Sequence, residues 1–273
     1  MNLKDLNTLT GSLPASDTMP VLFLGHGSPM NAIEENEFTR QWRRLGETLP
    51  RPSAILCVSA HWETRGTFVT AMEQPRTIHD FYGFPRELFD VQYPAPGSAT
   101  LAGETQRTLH PAVVELDRRW GLDHGCWSVV RRIYPNADVP IVQLSLDRTL
   151  SPEQHIDLAA HLASLREKGI LIIGSGNMVH NLRVLDWAHP DGVYDWAKEA
   201  AVKLKALVGD RALKSLADYP ALGNAVRLSV PTPEHFLPML YALALQKKGE
   251  GLTFFNDRTV YGSLSMASFI LSS

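Results

Sequence analysis

Ten histidines occur in 273 residues. Five of them sit among small, polar or turn-forming neighbours: His26 in GHGSP, His61 in SAHW, His124 in DHGCW, His180 in GNMVHN and His235 in PTPEHF. A neutral imidazole can ligate a metal or exchange a proton near neutral pH. A lone histidine after a strand is more commonly a hydrogen-bonded structural residue, and GHG alone is a weak signal. Here, however, His26, His61 and His180 all follow strand-like apolar runs. Imidazole is costly in a buried turn unless its nitrogens find partners, so three such strand ends favour metal binding over three separate structural histidines. No cysteine cluster or HExxH pair competes for the metal. The other five, His79, His110, His155, His161 and His189, lie in helical or proline-rich contexts and read mostly as surface residues.

The elements that must position these side chains alternate along the chain. Short β-branched or apolar runs predict strands over 20–25, 53–60, 67–72, 112–116, 139–145, 169–174 and 252–256. Helical spacing predicts helices over 34–47, 98–109, 151–166, 194–207 and 233–247. Of these, 151–166 has the clearest start, with Ser151, Pro152 and Glu153 in order, and Gly169 beyond its end. The alternation predicts an α/β fold: a single-domain three-layer sandwich, its mostly buried central sheet flanked by helices. Continuous apolar strands such as GILIIGSG imply burial on both faces, and open α/β sheets place ligands at the carboxyl ends of their strands. Residues 74–97 read as one long ordered loop, a kind of segment that is often functional.

With 44% hydrophobic and 20% charged residues, the composition is that of a globular protein with one substantial core. A formal charge of −3 and no block of like charge argue against nucleic acid or an anionic membrane as partner; a small molecule is expected instead, and the oligomeric state is left open. No apolar stretch reaches the length of a membrane span, and the first twenty residues lack the apolar centre of a signal peptide. With only Cys57 and Cys126, best read as thiols, the expected location is the cytoplasm.

Taken in order, GHGSPMNAIE, SAHWETRG, TIHDFYGFP, YPAPGS, GLDHGCW, GSGNMVHNLR and PTPEHFLPMLYALA resemble the class III extradiol ring-cleavage dioxygenases, in the branch of the 4,5-DOPA dioxygenases. The likeness runs from about residue 20 to residue 266, which sets 1–19 apart as an N-terminal tail and 20–273 as the catalytic domain. The resemblance implies Fe(II) for catalysis, with Zn(II) able to occupy the same site. It also implies O2 as co-substrate and a catechol, L-DOPA or a related compound, opened to a semialdehyde. Under it His26 and His61 are metal ligands and His235 is a third. His180 is an acid/base or, with zinc bound, a fourth ligand, and His124 is a second catalytic histidine facing substrate. Better-known members complete the set with a glutamate, a part open here to Glu234 or Glu63.

A metal that takes both catechol oxygens and O2 needs open adjacent positions, so its protein ligands must come from one side. Gly25 and Gly27 suit the turn that leaves room beside His26. In the loop HDFYGFP, Phe81, Tyr82 and Phe84 offer flat surfaces for a catechol ring and His79 a polar contact, with Trp62 either a further wall or core. Arg65, Arg183 and Ser263 are candidates for holding a substrate carboxylate. The competing reading is a zinc-dependent hydrolase on the same histidines, with Ser28 or Cys126 as nucleophile. A structural metal in a non-catalytic module is less favoured, because such sites close with four ligands from short local spacings.

Overall fold

The computed structural model of the protein describes residues 13–273. Its centre is an eight-stranded sheet. The strands are β1 (Val21–Gly25), β2 (Ala54–Thr64), β3 (Thr67–Thr70), β4 (Val114–Asp117), β5 (Ile141–Asp147), β6 (Ile170–Gly176), β7 (Gly251–Phe255), β8 (Thr259–Val260), β9 (Leu264–Ser265) and β10 (Ser268–Ser272). The order across the sheet is β4-β3-β5-β2-β6-β1-β10-β7, with β8 and β9 paired separately. β5, β2, β6 and β1 run parallel, whereas β10 joins β1 and β7 antiparallel. The carboxyl ends of the parallel strands therefore share one edge of the sheet.

Burial on both faces follows from the alternation of apolar residues. Val21, Phe23, Leu56, Val58, Ile170 and Ile172 enter one core, and Leu22, Leu24, Ile55, Cys57, Leu171 and Ile173 enter the other. The α-helices of eight or more residues are α1 (Glu37–Thr48), α2 (Ala99–Thr108), α3 (His124–Ile133), α4 (Pro152–Ala160), α5 (Asp195–Gly209) and α6 (Leu237–Ala244). Trp42 of α1 and Trp127 of α3 fill the second core, while α2, α4, α5 and α6 cover the first. The three-layer α/β expectation therefore holds.

Several elements differ from the sequence reading, among them β10, which it does not include. α3 was not expected, because Gly, Cys, Trp, Ser and two Val are poor helix formers. Asp123 caps it, accepting from the Cys126 N–H, and burial of one face does the rest. β2 continues through His61 and Trp62 rather than stopping before them. The helix expected over 151–166 is α-helical only to Ala160; it tightens to a 3-10 form over His161–Lys168 and ends at left-handed Gly169. Of the N-terminal tail, residues 1–12 lie outside the described residues. Further along it, Ser16 and Met19 donate backbone hydrogen bonds to Glu167 and Arg166.

Close packing near the sheet's functional edge depends on Gly176. A Cβ there would lie 2.2 Å from the His235 carbonyl oxygen, so the segment leading into α6 can approach β6 only over a bare backbone.

Candidate metal centre

Five imidazoles converge at the shared carboxyl edge. His26 follows β1, with its N–H bonded to the Gly176 carbonyl, and His61 lies near the end of β2. His124 is the first residue of α3 and His235 lies in the turn before α6. His180 follows β6, bridged to Leu264 and donating its backbone N–H to Ser229. Ring centroids of His26 and His61 are 5.0 Å apart, those of His26 and His235 5.3 Å, and those of His61 and His235 4.9 Å. His124 lies 3.9 Å from His61, and His180 stacks on His235 at 3.5 Å. The expected tight turn is present: Gly27 adopts a left-handed φ of 63°, which a larger side chain would strain.

Polar contacts on the outer side of the rings bias which nitrogen faces inward. Ser175 donates its hydroxyl to the Gly125 carbonyl at 2.5 Å, so at 3.0 Å from His26 Nδ1 its oxygen is left to accept. His61 and His124 each turn Nδ1 to Asp80, at 3.3 and 3.0 Å, and His235 turns Nδ1 to Glu234 at 3.4 Å. A carboxylate only accepts, so an Nδ1 so placed favours the tautomer in which it carries the hydrogen and Nε2 keeps its lone pair, although the His124 Nδ1 makes no aligned hydrogen bond. The Nε2 atoms of His26 and His61 are 3.2 Å apart. Two nitrogens bound to one ion at about 2.0–2.1 Å would be separated by roughly 2.9–3.4 Å, so this pair fits a shared metal.

Electrostatics agree with that fit. Burial and the neighbouring imidazoles hold His26 and His235 well below the usual histidine range; His61 is depressed by burial and by His124, against the opposing pull of Asp80. Burial brings His180 down to about 4. These rings are therefore neutral at pH 7, the form in which imidazole ligates a metal. The mutually close ligand atoms form two sets, His26 with His61 and His124, and His180 with Glu234 and His235, each within 4.8 Å. Glu234 thus joins the cluster, whereas Glu63 belongs to neither set and lies exposed.

The other residues singled out from the sequence take varied positions. Phe81 meets His124 edge-on at 5.5 Å, and Phe84 packs against Phe81. His79 spends Nε2 on the Val91 carbonyl at 2.9 Å, and Tyr82 is 92% exposed. Trp62, adjacent to His61 in β2 and so directed to the other face, stacks on Trp120 at 5.6 Å. Arg65 and Arg183 are exposed, while buried Ser263 donates to the Asn181 carbonyl. Ser28 accepts the Met30 N–H at 3.2 Å. Burial pushes the Cys126 thiol well above its ordinary value, so neither Ser28 nor Cys126 has the setting of an activated nucleophile. Both cysteines are free and buried, as expected. One expectation fails: His155 is fully buried against Tyr241 rather than at the surface.

Sequence reasoning overlooked Asp80, Ser175 and Asp123. Asp123 is fully buried and accepts from Ser59 at 2.6 Å and Gln143 at 2.7 Å, bracing the start of α3. The only available signal was the position of Asp80 and Asp123 immediately beside histidines.

Residues 20–248 match the family described as the catalytic LigB subunit of aromatic ring-opening dioxygenase. The chain is 49% identical over 258 residues to a 4,5-DOPA dioxygenase extradiol of Escherichia coli (strain K12), covering 93% of this chain and 95% of that protein. It is 34% identical over 258 residues to a protein of the same description from Beta vulgaris, covering 92% and 96%. The crystal structure of an uncharacterized protein, JW3007, from Escherichia coli K12 superposes with a TM-score of 0.82 at 43% identity, covering 93% of this chain and 100% of that one.

Proposed function

Because the chain belongs to the LigB family of aromatic ring-opening dioxygenases and is a metal-dependent extradiol dioxygenase, we propose that its substrate is a catechol, L-DOPA or a close relative. In this reading the ring opens beside the hydroxyls and takes up O2, giving a semialdehyde acid. The observation that carries the proposal is the inward convergence of His26, His61 and His235 with His124 and His180 beside them. His26, His61 and His235 would hold the metal, with His180 a fourth ligand when the ion is zinc. Fe(II) bound there supplies redox-active Lewis acidity toward the catechol oxygens and O2, which zinc cannot match.

The remaining chemistry belongs to the side chains. His124 would offer Nε2 to a substrate hydroxyl with the Asp80 carboxylate 3.0 Å from its Nδ1, the placing of a histidine base beside a carboxylate. Neutral His180 is a second acceptor for a catechol proton, and either ring can return that proton to a leaving oxygen later. Phe81 forms an apolar wall against His124 and limits water at the proton-transfer path. No helix among the described residues is long and apolar enough to cross a membrane. The same reading places the enzyme, with its two free thiols, in the cytoplasm.

Protein reconstituted anaerobically with Fe(II) should consume one O2 per L-DOPA in an oxygen electrode and form a yellow product, whose mass identifies cleavage beside the hydroxyls. Zinc-loaded protein should do neither. Absence of oxygen uptake across a panel of catechols, together with ester or amide hydrolysis by the zinc form, would replace this reading with the hydrolase.

A further inference from the structure

We propose that Asp80 is the positioning residue of this centre: one carboxylate sets the tautomer and aim of both His61 and His124, tying a metal ligand to the proton-handling histidine. The inference rests on the roles assigned above to these two rings. Asp80 Oδ2 lies 3.3 Å from His61 Nδ1 and 3.0 Å from His124 Nδ1. Its Oδ1 accepts the His124 backbone N–H at 2.8 Å. The shared carboxylate is the nearest acidic group to both Nδ1 atoms, and the His124 Nδ1 has no other polar partner; an acceptor so placed favours a hydrogen on each Nδ1, which would leave both Nε2 lone pairs facing the site. The two rings are only 3.9 Å apart between centroids, so loss of the shared acceptor disturbs both at once.

Asp80 is itself held from several sides. Its side chain is 19% exposed. On its N-terminal side Ile78 donates its N–H to the Leu122 carbonyl at 2.7 Å and accepts the Trp127 indole N–H at 2.8 Å. On the same side His79 Nε2 bonds Val91 at 2.9 Å, and on the other Phe81 packs among Phe84, Phe89 and Trp127. The bond to the His124 N–H anchors the carboxylate at the first turn of α3, where unpaired backbone N–H groups favour a negative charge. The aromatic loop thus has a second task besides shaping a substrate wall: it delivers the group that orients two imidazoles.

The test reads tautomer and metal affinity, not turnover. In metal-free wild-type protein, 15N NMR of labelled histidine should show His61 and His124 as Nδ1–H tautomers. Asp80→Asn keeps an oxygen for the His124 N–H but brings an amide donor toward the Nδ1–H groups. That variant should shift at least one ring to the Nε2–H form, weaken zinc binding by about 10–100-fold in a chelator competition, and change the visible spectrum of the Co(II) form. Asp80→Glu should recover part of the affinity. An Nε2–H tautomer on either wild-type ring overturns the proposal, as does an Asp80→Asn protein with unchanged tautomers and zinc affinity. Should the variants fail to fold, the wild-type tautomers decide. A protein that passes these tests but does not oxidise catechols would refute the proposed substrate and leave this inference standing.

Discussion

Gly176→Ala tests whether the close approach of the pre-α6 turn to β6 sets the metal geometry. The added Cβ would meet the His235 carbonyl oxygen at 2.2 Å and its carbon at 3.1 Å. A tolerable contact needs at least about 3 Å, so one backbone must retreat by nearly 1 Å. β6 cannot move, since it is hydrogen-bonded to both β1 and β2 and fully buried. The turn must yield instead, although the Asn177 N–H holds that same carbonyl at 2.8 Å. Overpacking of this kind costs about 1–3 kcal/mol, read as a lower urea midpoint of the metal-free protein. The larger effect falls on His235: a displacement near 1 Å can cost about 10²-fold in an oriented reaction, and zinc affinity should fall with it. Chelator competition gives the affinity, and an oxygen electrode gives the turnover of the iron form. A variant with wild-type zinc affinity, turnover and midpoint would show that the turn is free to adjust, and the packing argument for His235 would be wrong.

Alanine at His26, His61 or His235 should leave a folded protein that retains little metal in elemental analysis. His124→Ala should keep its metal yet lose about 10²–10⁴-fold in turnover, as for a proton-transfer group; wild-type turnover in that variant would remove His124 from the chemistry. His155 offers a test of stability against pH away from the metal. Burial keeps it neutral down to about pH 4, despite the opposing pull of Asp147, whereas the unfolded chain protonates it near 6.5. As pH falls from 6.5 toward 4, the unfolded state gains a proton that the folded state refuses. Stability is thereby lost at up to about 1.4 kcal/mol per pH unit, with the loss levelling off below pH 4. His155→Leu should start less stable, because Tyr241 loses its partner, but should show a shallower decline in urea midpoint over that window. Parallel declines for the two proteins would contradict the assignment.

The clustering of histidines was legible because strand ends are legible. Apolar runs ending at His26 and His180 mark the carboxyl edge of buried parallel strands, and β6 lies between β2 and β1, so their termini meet wherever the helices lie. The aromatic loop was less so. Phe81 reaches His124, but Tyr82 next to it points to solvent, and nothing in HDFYGFP distinguishes one ring from the other, since only the path of the loop does. Trp62 was ambiguous because β2 extends past His61, after which alternation turns the indole away. β10 escaped notice for a similar reason: SFILS carries its meaning in non-local pairing with β1 and β7, and strand propensity is weak evidence for so short a segment.

Asp80 marks the limit of such reading. Local sequence places it beside His79, whose ring turns instead to the Val91 carbonyl, and its partners stand 19 residues before it and 44 after it. Histidines can be sorted by what precedes them on their own strand, because the strand aims the ring. A carboxylate that orients them arrives on a loop whose course is set by the indole of Trp127 and the backbone of Leu122. The histidines are thus written locally and their orientation is written in tertiary contacts. Substitutions confined to this loop should therefore change metal affinity while every histidine remains in place.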